Sequence, residues 1–395
     1  MGARLRNFFS KENMRKTFSG VGANKLYASL ICIAAGLLLG FIIMIALSPA
    51  DAVIDFPMLI TGGLVYYGAE GVGNIFATLA PLLCGGVAII FAYKTGIFNI
   101  GAAGQYTLGA FGALTFAIHF KCPWPVCLLM AVVFGAAWGI IPALLKSFCH
   151  VNEVISGIML NWIGLFFVNY SMQTYLSDMV DPSNSFQTKQ FWLGNNPLNA
   201  GGKLPNMGIT GLGENFSIAI IIAILVAILA YVIMEKTTFG YQLKASGYNH
   251  DATKYAGMNA RKNIVLTMAI SGGIAGLGAG LYYLSGIECW SSTVSSVLPQ
   301  VPWNGIIVAF ISQMNPVGAI FTAGFMALLS SGATATSQSV FPKEIADLIT
   351  SIIVYLSGLT AITMRLIPWI KNKIKKKKNG DPPEMPLIKQ VKESK

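Results

Sequence analysis

Charged side chains make up only 11% of this 395-residue chain, against about 25% in a soluble protein. That is too little charge to cover a soluble fold of this length, and it excludes one. Histidine is rarer still, with three isolated residues, His119, His150 and His250. They supply neither an H-E-x-x-H pair nor metal-ligand spacing. The six cysteines, Cys32, Cys84, Cys122, Cys127, Cys149 and Cys289, form no C-x-x-C, so neither a disulfide framework nor a zinc site is indicated. Most lie in apolar runs, where a thiol behaves as a small hydrophobe. No G-x-x-x-x-G-K-[ST] occurs to cradle ATP phosphates, and G-x-S-x-G is missing too. Catalytic residues, cofactors and metals are therefore none.

What is present is apolar. Hydrophobic residues account for 54% of the chain and the mean hydropathy is +0.62. The net charge of +11 could suggest nucleic acid, but its distribution excludes that partner. Of 27 Lys and Arg, six fall in residues 1–25 and ten from Arg365 onward, both groups flanking apolar segments. This is the charge that orients a protein in a lipid membrane. Apolar runs of the roughly 20 residues that a bilayer demands occupy 26–47, 74–93, 100–120, 124–145, 151–175, 216–234, 264–284 and 345–370. Residues 303–330 are broken near the middle by Met314-Asn315-Pro316, where proline forbids a straight helix. Parity of the ends requires this stretch to cross twice or to dip in and return.

The expected fold class is an all-α polytopic membrane protein of about ten transmembrane or re-entrant helices with both termini cytoplasmic. Four regions follow: a basic cytoplasmic N-terminus (1–25), a first span with an external segment (26–73), a core (74–370) with a cytoplasmic loop at 235–263, and a basic cytoplasmic tail (371–395). On this topology Lys121, Lys189, Lys203 and Lys343 are the basic residues left off the inner side.

Within the core, residues 92–113 read A-Y-K-T-G-I-F-N-I-G-A-A-G-Q-Y-T-L-G-A-F-G-A. A polar break, Lys94-Thr95-Gly96, opens into a helix whose small face recurs every four residues as Gly101, Gln105, Gly109 and Ala113. A second small face, Gly272, Gly276 and Gly280, marks another close helix seam. Asn99, Gln105, Asn161 and Asn304 are polar at membrane depth. A buried amide either ties helices together or lines a solute path. No Asp, Glu, Lys or Arg clearly sits at bilayer centre, which weighs against a proton-coupled carrier. Trp162, Phe166, Phe167 and Trp303 could stack on a flat solute or anchor at an interface.

The 235–263 loop holds G-Y-N-H-D-A-T-K-Y-A-G-M. Asn249 can cap a short helix there, Asp251 sits in its first turn, and Gly257 can end it left-handed. Ala252, Tyr255 and Ala256 then share a side. So short a helix is unstable alone, so it must dock on the protein's own spans or on a partner.

These residues together resemble a known family. G-I-F-N-I-G-A-A-G-Q at 96–105, N-E-V-I-S-G-I-M-L-N-W at 152–162, L-K-A-S-G-Y-N-H-D-A-T-K-Y-A-G-M-N at 243–259 and S-Q-M-N-P-V-G-A at 312–319 are similar to the permease subunits of ATP-binding-cassette importers. The group is that of ribose, simple sugars and branched-chain amino acids, and within it the nucleoside permeases are the most similar. Ala103 departs from a position that is often Glu in relatives.

The resemblance implies an ATP-driven importer, with nucleosides as the expected solute. Its partners would be a second permease subunit, identical or not, a cytoplasmic ATP-binding subunit and an extracytoplasmic solute-binding protein. It carries the coupling role onto Gly247, Asp251, Ala252, Tyr255 and Gly257, and it locates the chain in the bacterial plasma membrane. Three rivals remain: a ribose or simple-sugar permease of the same family, a secondary transporter, and a purely structural membrane scaffold, which would have no reason for a capped cytoplasmic helix. The second would explain a faint echo of 87–113 in 305–327.

Overall fold

The computed structural model describes residues 21–61, 64–182, 184–189, 199–208, 216–249, 253, 255–286, 288–291, 297–336, 341 and 343–358. The expected N-terminal basic region (apart from 21–25), the basic tail, and Asp251 and Ala252 of the coupling segment lie outside these residues. The described chain is mostly helical, with one small antiparallel hairpin, β1 (Val180–Asp181) with β2 (Asn184–Thr188).

The helices, in order, are α1 (Val21–Leu47), α2 (Pro49–Ile60), α3 (Leu64–Lys94), α4 (Ala102–Leu114), α5 (Trp124–Cys149), α6 (Glu153–Thr174), α7 (Ala219–Lys236), α8 (Thr238–Tyr248), α9 (Ala260–Leu284), α10 (Gln300–Ile311), α11 (Pro316–Thr336) and α12 (Lys343–Gly358). Seven stretches are long and apolar enough to cross a membrane among the described residues: Ser29–Leu47, Gly71–Lys94, Trp124–Cys149, Glu153–Thr174, Ala219–Lys236, Ala260–Leu284 and Pro316–Thr334. This is a multi-pass membrane protein. The other segments that sequence counting takes as crossings are shorter: α4 has 13 residues before a five-residue π turn, α10 has 12, and α12 is described for 16.

Local sequence explains where the helices start and stop. Asn152 Oδ1 accepts from the Val154 and Ile155 N–H groups at 2.8 and 3.4 Å, which caps α6. Asn259 Oδ1 accepts from Lys262 N–H at 3.0 Å and caps α9, and Thr237 Oγ1 does the same for α8 through Gly240 N–H at 3.1 Å. Each satisfies a donor that a helix N-terminus leaves orphaned. The break expected around Asn315 separates α10 from α11. Gln313 and Met314 turn left-handed there, with φ of 53° and 59°, and Asn315 Oδ1 accepts from Val317 N–H at 3.0 Å to open α11.

The chain forms two compact units, residues 40–350 and, separately, residues 1–39 with 351–395. In the smaller one Cys32 Sγ donates to Leu356 O at 3.2 Å, and Gly36 lies against Ile353. In the larger one α9 is central and packs on α3, α4 and α5. Every residue of α4 is buried, so this short helix is enclosed by protein and meets no lipid.

That enclosure rests on glycine. A Cβ on Gly109 would overlap Gly276, and one on Gly135 would overlap the Gly272 carbonyl. A Cβ on Gly139 would stand 3.3 Å from Gly272 Cα, and one on Gly280 would stand 3.0 Å from Ala131 Cβ. Lipid tails are as apolar as leucine, so association here depends on such close backbone packing. A second seam, between Gly305 and the backbone of Gly85 and Gly86, closes α10 onto α3.

Candidate functional site: a backbone joint, a buried amide lock and a polar cavity

The polar break after α3 is a tight turn. Thr95 Oγ1 donates to Ala92 O at 2.7 Å, and Gly96 has φ +75°, a left-handed conformation that glycine adopts without steric cost. Helix α8 comes up against this turn with no side chain between the two backbones. A Cβ on Gly96 would stand 2.7 Å from Gly247 Cα, and a Cβ on Gly247 would overlap the Thr95 carbonyl.

Charge pins the joint from the outside. Glu235, at the end of α7, accepts from Lys94 Nζ at 2.5 Å and from Lys244 Nζ at 3.0 Å, so one carboxylate ties α3, α7 and α8 together. On the inner side, Asn263 of α9 donates to Ser246 Oγ at 2.6 Å.

Immediately beyond the turn lies an amide lock. Asn99 Nδ2 donates to Gln105 Oε1 at 2.7 Å and to Ser271 Oγ at 2.8 Å. Gln105 Nε2 returns a bond to Asn99 Oδ1 at 3.1 Å, and Ser271 Oγ donates to Ala88 O at 2.7 Å. Asn161 on α6 reaches in as well: its Oδ1 accepts from Gly104 N–H at 2.7 Å and its Nδ2 donates to Ile100 O at 3.0 Å. Asn99, Gln105, Asn161 and Ser271 are all buried, and the buried polar groups in this cluster satisfy one another. The glycine face of α4 continues the pattern, since a Cβ on Gly101 would stand 3.4 Å from Gly157 Cα of α6.

Asn161→Ala leaves Ile100 O and Gly104 N–H buried without their side-chain partner. The expected cost is about 1–3 kcal/mol, measured as a lower melting temperature of the detergent-solubilised protein.

Asn304 stands apart from this cluster. It lines a cavity of about 650 Å³ with Asn74, Gln300, Ser330, Thr334, Glu344 and Asp347. Of the four amides singled out in the sequence, three are therefore packed around the start of α4 and one borders open space. Trp162, Phe166 and Phe167 sit on the exposed face of α6, and neither they nor Trp303 line this cavity. Glu153 and Glu288 are held locally, Glu153 by Lys146 Nζ at 2.5 Å and Glu288 by Tyr282 OH at 2.6 Å.

In the expected coupling segment Thr253 and Tyr255 are helical, and Gly257 ends the turn left-handed at φ +75°. Tyr255 is 94% exposed, so its ring docks on none of the described residues. Sequence reasoning missed α8, reading 238–248 as loop ahead of the short helix; the Thr237 cap was its legible signal. It also missed the Lys94, Glu235 and Lys244 cluster and the two carboxylates at the cavity. Those residues are scattered along the chain and only the packing gathers them.

A buried short helix is thus clamped between longer spans, with a backbone joint at one end and a polar cavity in the same unit. Residues 71–358 match the model of the branched-chain amino acid transport system permease component, and the chain belongs to that family. It is 30% identical to the nucleoside ABC transporter permease protein NupB of Lactococcus lactis subsp. cremoris, over 88% of this chain and 94% of NupB. It is 32% identical to the guanosine ABC transporter permease protein NupP of Bacillus subtilis, over 89% of this chain and 97% of NupP. With the glucose ABC transporter permease protein TsgB13 of Haloferax volcanii it shares 26%, over 82% of this chain and 84% of TsgB13. No solved structure matches it. The chain is a permease subunit of an ABC transporter and resides in the plasma membrane.

Proposed function

We propose that this permease serves an ATP-driven importer of nucleosides. It pairs with a second permease, receives solute from an extracytoplasmic binding protein and draws its power from a separate ATP-binding subunit at the 235–263 loop. The chain contributes no nucleotide site of its own. The observation that carries the coupling role is the contact of Gly247 with Thr95 and Gly96. With no side chain to absorb displacement, a push on α8 passes directly into the turn that leads into α4, and the amide lock moves with it.

In this scheme Asn304 meets the solute in the 650 Å³ cavity, while Asn99, Gln105 and Asn161 hold the mouth of α4 beside the path. The cavity's amides, hydroxyls and carboxylates suit a neutral solute rich in hydroxyl and ring-nitrogen groups. Its similarity to the nucleoside permease NupB and the guanosine permease NupP favours nucleosides over sugars.

Reconstituted vesicles with and without the ATP-binding subunit test the scheme. Labelled nucleoside is expected to accumulate only with ATP and that subunit, and a pentose is not. Accumulation without the ATPase would identify a secondary transporter instead, and preference for the pentose a sugar permease.

The exposed Tyr255, with Gly257 ending its turn and Asp251 and Ala252 preceding it, supplies the outer contact for the ATPase. Tyr255→Asp puts a charge into that apolar contact. It should abolish ATP-driven uptake while membrane insertion stays normal, as read by uptake and by membrane yield; full uptake by this variant would remove Tyr255 from the interface.

A further inference from the structure

At the end of the larger unit where α5 finishes and α6 and α9 begin lies a second cavity, of about 1010 Å³. Its walls carry three basic side chains, Lys146, His150 and Arg261, and one acid, Glu153. Lys146 is committed to Glu153 at 2.5 Å. Among the described residues no acid pairs with His150 or Arg261. The Arg261 guanidinium is held at the rim, 5.6 Å from the centre of the Phe148 ring.

Ser147 also lines the cavity. It is only 4% exposed, and its Oγ has no hydrogen-bond partner. A buried hydroxyl left alone costs free energy that a bound acceptor would recover.

The surroundings identify the acceptor. Leu144 and Phe148 of α5 and Ile155 of α6 are exposed, and on a membrane-spanning helix such residues face acyl chains. The Arg261 cation thus stands against an exposed apolar ring, with Leu144 one turn earlier on the same helix, and basic pockets between spans beside lipid-facing side chains bind anionic headgroups. Gly257 and Arg261 of the lining belong to the 235–263 loop at which the ATP-binding subunit is proposed to dock, but a soluble partner would leave the exposed apolar side chains of α5 and α6 to lipid.

We propose that an anionic phospholipid of this leaflet seats its phosphate in the cavity between α5, α6 and α9. Arg261, His150 and Lys146 meet the phosphate, the Ser147 hydroxyl donates to it, and the acyl chains lie along Leu144, Phe148 and Ile155. The ligand class is a lipid phosphodiester, and the site lies outside both the amide lock and the solute cavity.

Native mass spectrometry of the full chain released from nanodiscs tests this without any transport assay, so its outcome is independent of the import scheme. In nanodiscs of phosphatidylcholine doped with phosphatidylglycerol, the wild-type chain is expected to retain phosphatidylglycerol selectively. Lys146→Gln and Arg261→Gln should each lower that retention about fivefold, the ratio that corresponds to roughly 1 kcal/mol per basic residue near an anionic surface. Glu153→Gln releases Lys146 and should raise retention, a gain that a merely misfolded variant could not produce.

Unchanged retention across the three variants, or equal retention of phosphatidylcholine, overturns the proposal. Displacement of the lipid by inorganic phosphate would show a site for soluble phosphate and overturn it too. Loss of ATP-binding subunit in pull-down of Arg261→Gln, with lipid retention intact, would assign the cations to a protein interface instead.

Discussion

Gly247→Val should abolish ATP-driven uptake, with a loss of at least tenfold, while the protein still inserts. The added side chain meets the Thr95 carbonyl and the Gly96 backbone, and neither is the flexible end of a side chain. Helix α8 must therefore swing away from the turn at 95 and 96, which breaks the direct backbone path from the 235–263 loop to α4. Overpacking of this kind costs about 1–3 kcal/mol, which a bundle of this size tolerates.

Lys244→Gln is the contrast. It removes one of two cations from Glu235, whose partner Lys94 remains. The site is partly exposed, so the loss is at most about 1 kcal/mol and uptake should fall only slightly. Uptake by Gly247→Val equal to that of Lys244→Gln would mean that the joint transmits nothing.

Gly276→Leu is expected to prevent folding altogether. Gly276 is the point where three helices meet: Gly109 of α4 and Gly135 of α5 both lie against its backbone, and its own Cβ would run into the Ala131 carbonyl. A leucine there must separate α9 from α4 and α5 at once. It would expose the amide lock beside Ser271 and cost more than about 4 kcal/mol, in the range reserved for core overpacking and broken buried networks.

Gly324→Ala is the matched control on another span. The nearest atom to its Cβ is Leu79 Cδ1 at 3.5 Å, an ordinary contact, so its melting temperature should stay at the wild-type value. Membrane yield and thermal unfolding in detergent read both variants. A Gly276→Leu protein that melts with the control would show that the seam can open without cost.

The contrast between Gly276 and Gly324 also shows how far sequence reading reaches. Four-residue spacing selected Gly272, Gly276 and Gly280, because helical periodicity alone puts them on one face. It could not name Gly135, Gly139 or Gly109 as the surfaces they meet, nor rank Gly276 above Gly324. That ranking depends on which helices cross there, and crossings are long-range facts.

The amides divide in the same way. Asn99, Gln105, Asn161 and Asn304 are equally improbable in lipid and look alike in sequence. Packing gave the first three one another, Ser271 and the nearby backbone as partners, and gave Asn304 a cavity.

Composition and the lengths of the apolar runs determined by themselves that this is a helical membrane protein, and Met314-Asn315-Pro316 determined where 303–330 breaks. These properties are local, because a helix closes its hydrogen bonds within its own segment and a bilayer requires it to do so. Only the tertiary structure decided that α4 is enclosed, that Glu235 joins Lys94 to Lys244, and that Gly247 touches Gly96 across 150 residues of intervening chain. Those contacts join surfaces on separate helices, and the physics that selects them, close fit between backbones in the absence of a hydrophobic drive, acts only after the helices have formed.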